Sequence, residues 1–260
     1  MEYTLITGAS GGIGYEISKK FAEKGDYIIL VARTGNKLQQ IAQELQNNYS
    51  VKTQIIQQDL SLPDAAEKIF IQVKEWSLPV DNLVNNAGFY IQGSFSDTSW
   101  EKEQELIQLQ CINHTKLVKL FLPEMLKKNQ GRILNVCSTG SFLPGPYNAI
   151  YCASKSFFLS FSEALSEELA GTGIRITALC PGGTNTPFQN SNKRKLTFLN
   201  PLMEASVVAT KGYNALMKGK RVIVPGISNK IQILALRFLP RWIVARLAGM
   251  YVHNSKYKMV

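Results

Sequence analysis

No uninterrupted apolar run in this chain reaches the roughly 18–20 residues of a membrane-spanning helix, so no span is expected. Met1 leads almost directly into Tyr3–Thr7, with no basic segment followed by an apolar one; no signal peptide is expected, and a cytoplasmic location is. Histidine is scarce. His114 and His253 stand far apart without a ligand cluster, and no C-x-x-C occurs among Cys111, Cys137, Cys152 and Cys180, which argues against a metal site. Each cysteine sits among apolar residues, as buried reduced thiols do in a cytosolic protein. Acid is missing in two places. Residues 205–260 hold ten Lys and Arg and no Asp or Glu, whereas residues 1–204 hold 19 of each sign, so the net charge of +10 belongs to the C-terminal part. The second gap is short: no acid occurs between Tyr27 and Lys37, while Arg33 and Lys37 are both cationic.

What the chain does contain is a regular alternation. Short apolar runs at Tyr3–Thr7, Tyr27–Ala32, Lys52–Gln57, Asn82–Asn85, Arg132–Cys137, Ile174–Cys180 and Arg221–Val224 read as strands, several of them apolar throughout, as strands buried on both faces are. Amphipathic stretches near 13–24, 35–47, 64–76, 99–128, 150–170 and 201–218 read as helices, with Pro63 and Pro201 near helix starts and Gly25 and Gly219 near helix ends. Strand–helix alternation predicts an α/β fold, a doubly wound parallel sheet of about seven strands with helices on both faces. One domain is expected over residues 1–225, followed by a basic amphipathic helical extension over 226–260, which Pro240 divides into two short helices.

The first strand runs into Thr7-Gly8-Ala9-Ser10-Gly11-Gly12-Ile13-Gly14, and a helix follows. Glycines let the backbone turn tightly and approach a ligand, and the free N–H groups of the new helix suit a phosphate. Strand two ends at Ala32-Arg33. An acid at that place binds an adenosine ribose 2′-hydroxyl and a cation accommodates a 2′-phosphate, so Arg33 favours NADP(H) over NAD(H).

Tyr151 and Lys155 lie one turn apart on one helix face, with Ser138 upstream. A cation beside a phenol favours the phenolate and brings it into range as an acid/base, and a serine hydroxyl can bind the oxygen being protonated. Alone, Tyr-x-x-x-Lys is a common spacing on exposed helices. A hydrolase reading, with Ser138 as nucleophile and His114 as base, lacks the G-x-S-x-G elbow and an acid to orient the histidine.

Taken in order, Thr7-Gly8-x-x-x-Gly12-x-Gly14, Asp59-Leu60, Asn85-Asn86-Ala87-Gly88, Asn113, Ser138, Tyr151-x-x-x-Lys155 and Pro181-Gly182 resemble the short-chain dehydrogenase/reductase family in its single-domain branch. Leu143–Phe161, the Cys180-Pro181-Gly182 turn and the basic C-terminus are similar to the DltE-like bacterial oxidoreductases. The resemblance implies a Rossmann-type fold and a catalytic set of Asn113, Ser138, Tyr151 and Lys155. Tyr151 would be the acid or base at the substrate oxygen, and Lys155 would lower its pKa and bond the nicotinamide ribose. Ser138 would polarise the oxygen, and Asn113 would position a water linking Lys155 to solvent. For the cofactor it implies Gly8, Ser10, Gly12, Ile13 and Gly14 at the phosphates and Arg33 at the 2′-phosphate. Asp59 and Leu60 would flank the adenine, Asn86, Ala87 and Gly88 would line the middle, and Pro181, Gly182, Thr184 and Thr186 would hold the nicotinamide end.

Pocket candidates are Phe89, Tyr90, Phe142, Leu143, Pro144, Pro146, Tyr147 and a 183–200 loop carrying Phe188 and Lys193-Arg194-Lys195, which suggests an apolar carbonyl or alcohol substrate. Family members are usually dimers or tetramers, so a homo-oligomer is expected. The 226–260 extension reads first as a lid over the pocket or a subunit contact, with a peripheral membrane contact as the alternative. Nucleic-acid binding is not expected, since no recognised module is present. The competing reading is an NADPH-binding regulatory or membrane-associated scaffold with little turnover.

Overall fold

The apolar runs of the sequence become one parallel sheet because each carries buried residues on alternate sides. The structure is a computed structural model describing residues 2–186 and 202–257. In chain order its elements begin with β1 (Tyr3–Thr7), α1 (Gly12–Ala22), β2 (Tyr27–Ala32), α2 (Gly35–Tyr49), β3 (Thr53–Gln57), α3 (Ala65–Glu75), β4 (Asn82–Asn85) and α4 (Trp100–Ile107). A π-helical turn (Gln108–Asn113) joins α4 to α5 (His114–Lys128), and β5 (Gly131–Val136), a 3-10 turn (Thr139–Phe142), α6 (Ala149–Glu168) and β6 (Ile174–Leu179) follow. The chain continues through β7 (Thr184–Asn185), β8 (Met203–Glu204), α7 (Ala205–Met217), β9 (Val222–Ile223), α8 (Ile227–Leu236) and α9 (Arg241–Tyr257).

Seven strands form the sheet in the order β3-β2-β1-β4-β5-β6-β9, all pairs parallel. Alternate residues of one strand face opposite layers. Leu5, Ile29 and Val31 pack under α3 and α5, whereas Ile6, Ile28 and Leu30 pack under α1, α2 and α7. Full burial of each such side chain contributes about 1.5–3 kcal/mol before the cost of ordering the chain.

Strand order reverses between β1 and β4, and this opens a crevice at the carboxyl ends of those strands, where doubly wound sheets bind ligands. The segments following β1, β4, β5 and β6 all reach it, and each carries one of the sequence motifs.

Two elements differ from the sequence expectation. The helix expected over 99–128 is α4 and α5 separated by the π-helical turn. The helix expected from Pro201 begins at Ala205, after a short parallel β7–β8 pair that the periodicity does not signal. Pro201, Phe188 and Lys193-Arg194-Lys195 lie outside the described residues. Among the described residues no helix is long and apolar enough to cross a membrane, and no cluster of His, Cys, Asp and Glu could hold a metal ion.

Candidate active site

The crevice is a cleft of about 500 Å³. One end, at the loop after β1, is built by glycines with different tasks. Gly8 (φ 66°) and Gly12 (φ 56°) occupy left-handed backbone that favours glycine. A Cβ on Gly8 would lie 2.7 Å from Ala87 Cα, so the loop after β1 touches the loop after β4 at backbone level. Thr7 ties these loops together: its Oγ1 accepts from the N–H groups of Asn86 (2.9 Å) and Ala87 (3.1 Å) and donates to Val84 O (3.2 Å). The Asn86 amide returns the bond, Nδ2 donating to Thr7 O (3.0 Å) and Gly8 O (3.1 Å). Gly14 does not line the cleft. A Cβ there would collide with the Gly8 carbonyl oxygen and lie 2.5 Å from Asn86 Nδ2, so its absence is what lets α1 pack against the loop.

At the other side of β1, Arg33, Thr34, Lys37, Gln58, Asp59 and Leu60 line the cleft. Asp59 Oδ1 accepts from Ser61 N (2.9 Å) and Ser61 Oγ (2.7 Å), and Asp59 Oδ2 lies 3.8 Å from Arg33 Nη1. The Arg33 side chain is 65 % exposed, and a pair so long and wet restrains it little. Its guanidinium is available to an anion.

The other end is set by α6 and the end of β5. Lys155 is 5 % exposed, and its Nζ donates to Val136 O at 2.7 Å. Burial pushes the Lys155 pKa down, against the opposing pull of the Cys137, Cys180 and Cys111 thiols. Nζ stands 6.0 Å from the centroid of the Tyr151 ring, and that ring meets Tyr90 edge-on at 4.9 Å. Ser138 Oγ accepts from Gly140 N (3.0 Å), and Ser141 Oγ accepts from Ser138 N (3.3 Å), which fixes the serine at the head of its 3-10 turn. With the oxygen so engaged, the Ser138 hydroxyl proton is left to donate into the cleft.

Of the residues expected at the site, the cleft brings together Gly8, Ser10, Gly12, Ile13, Arg33, Asp59, Leu60, Asn86, Ala87 and Gly88 around the ends of β1, β2, β3 and β4. Ser138, Tyr151, Lys155, Pro181, Gly182, Thr184 and Thr186 line its other end. Asn113 is not on the lining. It is fully buried, and its Nδ2 donates to Leu60 O and Leu62 O, both at 2.7 Å, so its side chain holds the loop after β3. Phe89 and Tyr90 line the cleft, whereas Phe142, Leu143, Pro144 and Pro146 do not. Tyr147 lies in a small adjoining cavity that shares Tyr151, and it adopts a left-handed φ of 62°.

Sequence reasoning missed Gln110. It sits in the π-helical turn, 1 % exposed, with its Oε1 accepting from Ser154 Oγ at 2.8 Å. Its Nε2 has no partner among the described residues and stands 2.8 Å from where a Gly88 Cβ would lie, on the cleft lining. Such π-helical insertions gather at functional sites, but the apolar periodicity of α4–α5 hides this one. The hydrolase reading loses its base. His114 is fully buried, stacks on Phe158 at 5.4 Å, stands 3.4 Å from Thr7 Oγ1, and is held neutral by burial, its pKa pushed down to about 3.

Over residues 2–197 the chain matches the short chain dehydrogenase family. It belongs to that family. An uncharacterized oxidoreductase of Staphylococcus epidermidis is 31% identical to this short chain dehydrogenase over 183 residues, 70% of this chain and 78% of the relative. Among solved structures, one described for 7beta-hydroxysteroid dehydrogenase stereoselectivity superposes with a TM-score of 0.88 at 26% identity, covering 95% of this chain and 96% of that one. A short-chain dehydrogenase from Sphingobium yanoikuyae in complex with NADPH superposes with a TM-score of 0.83 at 29% identity, covering 91% and 92%. The protein is therefore an oxidoreductase of a family that uses a nicotinamide cofactor. Its own residues fit that group: a glycine cradle that a Cβ would fill, the cations Arg33 and Lys37 on the lining, and an orphaned Gln110 amide on the lining.

Proposed function

We propose that this short chain dehydrogenase interconverts an apolar carbonyl compound and its secondary alcohol with NADP(H). The observation that carries the reading is the convergence of Tyr151, Lys155 and Ser138 at one end of a single cleft whose other end presents Arg33 and Lys37.

The bound dinucleotide supplies the hydride in reduction and takes it back in oxidation. Everything else falls to the chain. Gly8, Ser10, Gly12 and Ile13 would hold the phosphates, Arg33 and Lys37 would select the 2′-phosphate, and Thr184 and Thr186 would hold the nicotinamide end. Ser138 donates to the substrate oxygen and polarises the carbonyl. Tyr151 gives its phenolic proton to that oxygen, or takes it back in the reverse direction, and Lys155 stabilises the phenolate that remains. The unpartnered Gln110 Nε2 would donate to the cofactor or to a water serving Lys155. Asn113 contributes by fixing the Leu60–Leu62 loop and the turn that carries Gln110. Phe89 and Tyr90 give the substrate end an aromatic wall, which favours apolar ketones. The active unit is proposed to be a homo-oligomer, a dimer or tetramer.

The test is NADPH consumption against carbonyl compounds graded from small diketones to steroid-sized ketones and β-ketoacyl thioesters, with NADH beside it. Turnover is expected with NADPH and to favour bulky apolar ketones. Tight NADPH binding with no consumption across the series would favour a scaffold instead.

A further inference from the structure

The asymmetric charge of the sequence acquires a location at the C-terminal helices. Residues 205–260 carry ten cations and no acid. Along α8, Ile227, Ile231 and Leu234 recur at the spacing of one helix face and are 77%, 62% and 57% exposed. Phe238 and Trp242, around the break between α8 and α9, are 81% and 67% exposed, and Leu247 continues the apolar surface on α9. Lys230, Arg237, Arg241 and Arg246 are exposed among them. The opposite stripe is anchored, with Ile233, Val244 and Val252 buried. These helices are therefore held to the body by one side and present large apolar groups, interleaved with cations, on the other.

The surface adjoins the substrate end of the cleft. Helix α8 packs on the 3-10 turn that Ser138 caps. Asn229 of α8 donates to Pro225 O at 2.7 Å, and its Nδ2 stands 2.5 Å from where a Gly182 Cβ would lie. A Cβ on Gly249 of α9 would come within 3.4 Å of Pro146, beside the small cavity next to Tyr151.

Three occupants can be weighed against these facts. A second copy meeting this surface about a two-fold axis would set the four cations against themselves with no carboxylate in the patch to pair them. A membrane span is too long for α9, whose 17 residues extend about 25 Å against roughly 30 Å of hydrocarbon. An anionic lipid surface satisfies both components: apolar groups enter the acyl boundary, and Arg and Lys reach the headgroups.

We propose that α8 and α9 form a peripheral docking surface for an anionic lipid bilayer, which sets the cleft mouth at the membrane so that apolar carbonyl substrates enter from the lipid phase. The second half of this statement rests on the reductase reading given above; the docking itself does not.

The experiment is vesicle co-flotation of the full chain, without cofactor or substrate, on phosphatidylglycerol/phosphatidylcholine vesicles and on phosphatidylcholine alone. Binding is expected to the anionic vesicles only and to fall with added salt. The Phe238→Ser/Trp242→Ser and Arg237→Glu/Arg241→Glu proteins should each lose it by on the order of tenfold or more, with thermal midpoints unchanged. Reduction of a water-soluble ketone by the same variants reads the catalytic proposal separately and should be unchanged. No flotation with either vesicle overturns the docking surface, as does a fall in oligomer mass in the Phe238→Ser/Trp242→Ser protein, which would assign the patch to a second copy.

Discussion

Tyr151→Phe is expected to lower kcat for carbonyl reduction by on the order of 10³-fold while changing NADPH affinity by less than about threefold. The substitution removes one hydroxyl and leaves the ring that meets Tyr90 edge-on, so the wall of the cleft stands. On the proposed mechanism, what is lost is the proton donor at the substrate oxygen, an interaction that matters most as charge develops there. Steady-state kinetics together with an NADPH fluorescence titration on the same preparation separate the two effects. Turnover within about threefold of the unaltered protein would place the acid elsewhere.

Arg33→Asp should invert cofactor choice. A charge-assisted hydrogen bond is worth roughly 1.5–3 kcal/mol, so losing it alone weakens NADPH by about 10- to 100-fold. The new carboxylate repels the 2′-phosphate and is suited to a ribose 2′-hydroxyl, so the ratio of kcat/KM for NADPH over NADH is expected to fall by roughly 10²-fold or more. Asp59 already spends one oxygen on Ser61 and faces Arg33 with the other, and Arg33→Ala is therefore the control that separates lost attraction from added repulsion. A ratio that barely moves in Arg33→Asp would transfer the selection to Lys37 or Thr34, which share that part of the lining.

Both predictions use residues that stand out in the sequence, and this reflects how the fold is specified. Strands such as Tyr27–Ala32 are apolar at every position because helices cover both faces of the sheet, and that pattern survives without tertiary knowledge. Gly8 and Gly12 are legible because the backbone needs positive φ at a strand-to-helix turn. The role of Gly14 is not legible, since a glycine that touches a ligand and one that lets a helix approach a loop look identical in a string. Only the clash of its absent Cβ with Gly8 and Asn86 tells them apart.

The π-helical turn is hidden for a similar reason. Gln110 bonds to Ser154 and Asn113 to the Leu60–Leu62 carbonyls, partners 44 to 53 residues away, so the extra residue in the turn is stabilised by contacts that no local periodicity records. The sequence places Asn113 correctly within this helical region. It cannot show that the side chain turns toward the loop after β3 rather than into the cleft. The exposed stripe of α8 and α9 is a third case: its composition is visible in the string, and which residues face outward is known only once Ile233 and Val244 are seen to be buried.

The most direct measurement is isotopic. The protein is incubated with a bulky apolar ketone and NADPH carrying deuterium at the transferring position, and the alcohol and oxidised cofactor are quantified together. The account predicts one deuterated alcohol per NADP⁺ formed, with the label on the former carbonyl carbon and a solvent-derived proton on oxygen, and loss of product in Tyr151→Phe. Cofactor oxidised without deuterated alcohol, or equal product from Tyr151→Phe, would contradict it.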